Sequence, residues 1–181
     1  MKWRNGVDRY AELRVGLHWL MLLLLAAVFA TMELRGYFPK GSATREAVKT
    51  WHYLLGLSAW LLAAARLLLA LHATAAPITP PPPRWQRIAA HAMHGALYAF
   101  MLGMPLLGWA TLSAQGSPIL LFGMHLPSLI GADSALVETL EELHETGAGI
   151  GYVLIGLHAA AALYHHYVLR DNTLRRMLPR A

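Results

Sequence analysis

The sequence predicts an all-α integral membrane protein built as a four-helix bundle, and three observations carry that prediction. Of 181 residues, 56% are apolar and 14% charged, against about 25% charged in ordinary soluble domains, and the mean hydropathy is positive. The apolar residues gather into four runs, 15–32, 51–71, 88–112 and 147–169, each long enough to cross about 30 Å of hydrocarbon at about 1.5 Å per residue. No run alternates with period two, and lipid offers no partners to an open backbone, so the spans are expected to be helices. One membrane domain, 1–181, uses the whole chain and leaves any active site in or beside the bundle.

The first run follows Lys2, Arg4 and Arg9; it is longer than a signal core, no small-residue cleavage pattern follows it, and it is expected to stay in the protein. The second begins at Trp51 after a loop carrying Arg35, Lys40, Arg45 and Lys49. The connection 77–83, PITPPPP, predicts a stiff polyproline spacer, with a proline-recognition ligand as the alternative. Pro105, between Gly103 and Gly108, is expected to kink the third helix. Residues 133–145 have apolar positions at 136, 137, 140 and 143, an amphipathic outer helix leading towards the fourth span. No repeat of the inverted-transporter kind is present. Eleven Lys and Arg fall on one side of the membrane against four on the other, which predicts both termini in the cytoplasm.

There is no cysteine, so disulfides, iron–sulfur clusters, thiolate haem ligands and thiol nucleophiles are excluded. The ten histidines are then the main metal-binding candidates, and they are ordered by depth. His52 opens the second span from outside, and His144 stands at the outer end of the fourth. His158 is fourteen residues further along, which places it within about 40° of His144 and about 21 Å deeper. His144 and His52 are the one plausible pair at the outer level; His18, His91, His94 and His158 all approach the inner level. Two stacked bis-histidine pairs fit two haem b groups between the helices. Gly56, Gly147, Gly149, Gly151 and Gly156, with Ala159 to Ala162, leave room for a flat macrocycle, although taken alone such small residues are better explained by close helix packing. Arg66, fourteen residues after His52, shares its face; a haem propionate is one partner for it, and snorkelling to the headgroups is the alternative. His91 and His94 with His165 or His166 lack the usual ligand set of a metal site, while His72 and His125 read as boundary or loop residues.

The segments Leu17-His18-Trp19-Leu20, Met32-Glu33-Leu34-Arg35-Gly36-Tyr37-Phe38-Pro39, Trp51-His52, Arg66-Leu67-Leu68-Leu69, Leu143-His144-Glu145-Thr146, GLHAAAALYHHY from Gly156 and RDNTLRRMLPR from Arg170 closely resemble the bacterial cytochrome b561 proteins of the small superoxide oxidase type. The resemblance implies an inner-membrane enzyme with two haems b, the inner one ligated by His18 and His158 and the outer by His52 and His144. It further implies oxidation of superoxide on the periplasmic side, electron transfer to ubiquinone, and a quinone site at His165. His165 is seven residues after His158, within about 20° of the same face and about 10 Å nearer the cytoplasm; bonding a haem propionate is its other possible use, and His166 is turned about 100° away, towards lipid.

Arg35, Lys40, Arg45 and Lys49 are the candidates for steering the superoxide anion. The outer segments nevertheless hold seven acids against these four bases, with no Lys or Arg between Leu112 and Gly147. Two other functions stay in view: a quinone-linked dihaem cytochrome exchanging electrons with another redox protein, and a metal transporter or sensor using His91, His94, His165 and His166. Membrane lipid is an expected partner and nucleic acid is not.

Overall fold

The structure is a computed structural model that describes residues 11–72 and 77–178; Lys2, Arg4, Arg9 and Arg180 of the charge count lie outside the described residues. Four long helices dominate it: α1 (Glu12–Arg35), α2 (Ala43–Leu71), α3 (Arg84–Ala114) and α4 (Ser134–Tyr164). All four are long and apolar enough to cross a membrane. Leu23, Leu68, Ile88, Val153 and Leu157 are exposed, as expected where lipid rather than protein covers the outer face.

Each helix begins and ends for a local reason. Gly41, at φ +80, turns the chain into Ser42, whose hydroxyl accepts from the Arg45 backbone N–H at 3.3 Å and caps α2. The Arg45 guanidinium donates to the carbonyls of Arg35 and Phe38 at 3.0 and 2.9 Å, so it fastens the end of α1 to the start of α2. Pro83 precedes α3, and Pro105 lies inside it without ending it. Asp133 caps α4 by accepting from Ala135 N–H at 2.9 Å.

The fourth helix differs from expectation. The outer amphipathic stretch and the span form one unbroken helix from Ser134, because nothing between Glu145 and Gly151 breaks an α-helix and the glycines there are tolerated by packing. Past Tyr164 the helix loosens into a π turn, His165–Leu169, and Arg170, left-handed at φ 55, sends the chain back across the inner end. A short antiparallel hairpin that the hydropathy pattern did not signal, β1 (Ile119–Leu121) and β2 (Met124–Leu126), closes the outer end. It seats on Leu57 and Leu112 through Ile119 and Leu121.

Helix α1 packs on α2, α2 on α3, and α3 on α4. Midway through the bundle Met21, Ala59, Ala63 and Met101 form a buried layer. That layer separates an outer polar level from an inner one.

Candidate functional site

At the outer level His52 of α2 and His144 of α4 face each other with ring centroids 6.1 Å apart and planes at 78°. His52 Nδ1 lies 3.2 Å from the Val28 carbonyl oxygen and 3.2 Å from the Thr31 hydroxyl, which itself donates to Val28 at 2.6 Å. A carbonyl only accepts, so the ring carries its proton on Nδ1 and offers the Nε2 lone pair outward, as metal-binding histidines do. His144 Nδ1 is buried without a hydrogen-bond partner. Two imidazoles holding one iron, each by a bond of about 2 Å and with about 1 Å from nitrogen to ring centre, would stand with their centroids about 6 Å apart. The observed separation therefore fits a single iron held between these rings.

The cavity around them has a volume of about 580 Å³, within the range of cofactor sites. Gly56, Gly108 and Gly149 line it, along with Phe100 and Met104. The glycines divide into two uses. A Cβ at Gly147 or Gly151 would run into Met104 or Phe100, so those two serve the contact of α4 with α3; one at Gly56 or Gly149 would meet nothing within 4 Å, leaving the cavity wall flat.

At the inner level three helices bring histidines together. His18 of α1 lies 6.2 Å from His158 of α4 between ring centroids, and His94 of α3 lies 5.6 Å from His158. The first separation fits an iron-bridged pair by the same reckoning; the second is tighter. Arg66 turns into the bundle rather than towards the headgroups, its Nη2 donating to His18 Nδ1 at 3.2 Å. His91 is exposed and its Nδ1 bonds the Arg87 carbonyl at 2.6 Å. Among the described residues no three His, Asp or Glu side chains are placed to hold a metal ion.

Below the inner level lies His165, the first residue of the π turn. Its Nδ1 is 2.5 Å from Oδ2 of Asp171, a residue the sequence reading did not single out. Asp171 is 3% exposed, and its Oδ1 accepts from Thr173 N–H at 2.8 Å. Burial acts to raise the Asp171 carboxyl, but the bonds from His165 and Thr173 outweigh it and hold the group below the usual carboxylate range. The only sequence signal for it was an acid inside the basic run RDNTLRR. His166, expected at the lipid interface, is half-buried, with its ring against Tyr167.

Of the four outer bases, Arg35 alone lines the cavity. Arg45 is spent on backbone carbonyls, Lys49 pairs with Glu46 at 2.8 Å, and Lys40 is exposed away from the lining. Glu33, Glu141 and Glu145 line the cavity as well. Glu33 accepts from the Tyr152 hydroxyl at 3.0 Å and Glu141 from Gln115 at 2.7 Å.

Comparison with known proteins is consistent with this arrangement. The sequence model described as prokaryotic cytochrome b561 matches residues 9–180. The chain is 42% identical to cytochrome b561 homolog 1 of Escherichia coli over 96% of its length and 99% of the relative's. It is 38% identical to the probable superoxide oxidase CybB of Yersinia pestis over 95% of its length and 97% of the relative's. It is 28% identical to a second Escherichia coli protein, cytochrome b561 homolog 2, over 98% and 95% of the two chains.

Proposed function

The chain belongs to the prokaryotic cytochrome b561 family, bacterial membrane electron-transfer proteins whose membership implies haem b, and from that premise we propose that it is a superoxide:ubiquinone oxidoreductase with two haems b. The observation that carries the reading is the pair of histidine couples at two depths, with ring separations of 6.1 and 6.2 Å. His52 and His144 would hold the outer haem, and His18 and His158 the inner one. Bound haem b supplies one-electron redox chemistry, with its potential set by ligation and burial.

The chain's own groups do the rest. The Val28 carbonyl and Thr31 orient His52 so that Nε2 is free to ligate. A histidine ligating through Nε2 keeps its proton on Nδ1 and cannot accept from Arg66 there, so the guanidinium is released to pair with an inner propionate. Arg35 is the cation that meets the superoxide anion at the cavity. Two superoxide ions become two dioxygen molecules, releasing two electrons, and ubiquinone takes these with two protons at the inner end, where His165 donates to a quinone oxygen. The charge asymmetry supports placing both termini, and with them the quinone site, on the cytoplasmic face.

One observation favours a second reading of the donor: Glu33, Glu141 and Glu145 outnumber Arg35 around the cavity, which suits a basic redox protein better than an anion. Purified protein should show a reduced b-type spectrum with about two haems per chain, and His52→Ala or His144→Ala should remove one while sparing the other. Stopped-flow mixing with superoxide then decides the donor: haem reduction at a rate proportional to superoxide supports the oxidase, and none supports the protein-partner reading. A ratio near one haem per chain contradicts the pairing.

A further inference from the structure

His165 is bonded twice to one residue. The Asp171 backbone N–H donates to the His165 carbonyl at 3.2 Å, and the Asp171 carboxylate takes Nδ1 of the same residue at 2.5 Å. The π turn and the left-handed Arg170 produce this return: without them the chain would carry Asp171 away from the ring. The strap that follows is anchored on two other parts of the fold. Asn172 accepts from Thr79 N–H at 2.9 Å and donates its own N–H to the Thr79 carbonyl at 3.3 Å, while the Trp19 indole of α1 donates to the Met177 carbonyl at 2.6 Å.

Resting on the reading of His165 as the quinone-contacting residue, we propose that Asp171 is the positioning residue for proton delivery to the quinone. Its carboxylate holds the Nδ1–H of His165, which fixes the ring so that Nε2 is the nitrogen presented to the quinone oxygen and the one through which the proton passes.

The chemistry calls for such a residue. A quinone becomes a quinol by taking two electrons, here from the haems, and two protons. Each proton leaves Nε2 as the N–H bond breaks and an O–H bond to the quinone forms, and a proton taken up from the solvent on the inner side replaces it. A histidine free to turn would present either nitrogen; a carboxylate on Nδ1 fixes the tautomer and remains ionised itself, as it does in hydrolase triads. Burying a carboxylate to 3% exposure is costly unless its lone pairs are used, and both oxygens here are. Around the pair stand Tyr164, its ring 6.3 Å from that of His165, and Arg175, whose Nη2 is 3.4 Å from the Asp171 backbone oxygen. The strap also carries the buried Arg176. Helix α1 contributes the neutral Trp19 indole, and the 77–83 connection contributes backbone groups of Pro77 and Thr79.

The test uses the full-length, haem-loaded protein in lipid nanodiscs. It is reduced with dithionite, freed of excess reductant and mixed with a short-chain ubiquinone, and haem reoxidation is followed from about pH 5 to about pH 9. Asp171→Asn should slow reoxidation about tenfold near neutrality; Asp171→Glu, which keeps the carboxylate, should recover most of the rate. His165→Ala should be slow at every pH. An Asp171→Asn rate within about twofold of the wild type, or an Asp171→Glu rate no better than that of Asp171→Asn, overturns the inference but leaves the quinone placement standing. A wild-type rate in His165→Ala overturns that placement and the inference with it. Nitrogen-15 NMR of the His165 ring in the wild-type protein needs no variant to fold: a proton on Nδ1 supports the inference, and a bare Nδ1 with a protonated Nε2 overturns it.

Discussion

Gly108 of α3 lies so close to the ring of His144 that a Cβ there would stand 3.1 Å from its Cε1. The ring has no hydrogen bond on Nδ1 to hold it against pressure, so a larger side chain would displace it. Gly108→Val is therefore expected to lower haem content from about two towards about one per chain while the inner haem's spectrum and potential persist. Haem quantitation by the pyridine haemochrome checks it, with His144→Ala as the reference for complete loss of the outer haem. Full haem content in Gly108→Val would mean that His144 takes another rotamer in the loaded protein.

How much of this was readable in the sequence depended on how many alternatives each feature had. The four spans were, because hydropathy accumulates over some twenty residues. The outer couple was, because His52 and His144 are the two histidines that topology brings to that depth. The inner couple was not: His18, His94 and His158 all reach the level, and periodicity orders residues along one helix without saying how three helices are rotated against each other. The hairpin escaped because its strands are three residues long and its turn uses Phe122 and Gly123, both at positive φ, in place of the Asn-Gly signal such turns usually show. Asp171 escaped for a related reason, since its meeting with His165 depends on a single left-handed residue, Arg170, that nothing in the local sequence marks.

Arg66 offers a test at the inner level. Its guanidinium reaches His18, so it is committed to the bundle interior, where an unpaired propionate would be costly. Arg66→Leu should lower inner-haem retention or shift the inner midpoint potential downward, because removing a cation favours the oxidised, more positive haem. Arg66→Lys should fall between the two proteins, since an ammonium keeps the charge but not the two-pronged geometry. Redox titration of both haems is the measurement; an unmoved inner potential at full haem content would separate Arg66 from the propionate.

The strap at the inner end should be acid-sensitive, and the sign follows from Asp171. Its carboxyl is held below the ordinary carboxylate range, so its contribution to stability is fully present above the unfolded value of about 3.9 and is lost as pH falls through the lower folded value. The thermal midpoint of the wild-type protein should exceed that of Asp171→Asn by several degrees near neutrality, given about 1.5–3 kcal/mol for a hydrogen bond to a charged group. The gap should hold steady down to about pH 5 and close at lower pH. A gap unchanged into strong acid would assign the loss to shape and not to charge.

Superoxide capture should depend on Arg35 and very little on the other three bases of the outer loop. Arg35 is the one that lines the cavity. Lys49 is neutralised by Glu46, and Arg45 is turned onto the carbonyls of Arg35 and Phe38. An anion approaching through water feels a charge within a Debye length of about 8–10 Å, and a cation already paired contributes little to that field. Arg35→Gln should thus lower the second-order rate of haem reduction by superoxide several-fold and flatten its dependence on ionic strength, whereas Lys49→Gln should change it by less than about twofold. Arg45→Met should act differently, lowering thermal stability by loosening the join between α1 and α2. The acids give the opposite sign: Glu33, Glu141 and Glu145 line the same cavity and repel an anion, so Glu145→Gln should raise the rate. Stopped-flow measurements at two salt concentrations resolve Arg35→Gln, Lys49→Gln and Glu145→Gln, and a thermal melt resolves Arg45→Met. If Glu145→Gln slows reduction and Arg35→Gln leaves it unchanged, the cavity's field is tuned for a cationic donor, and the electron source is a basic protein.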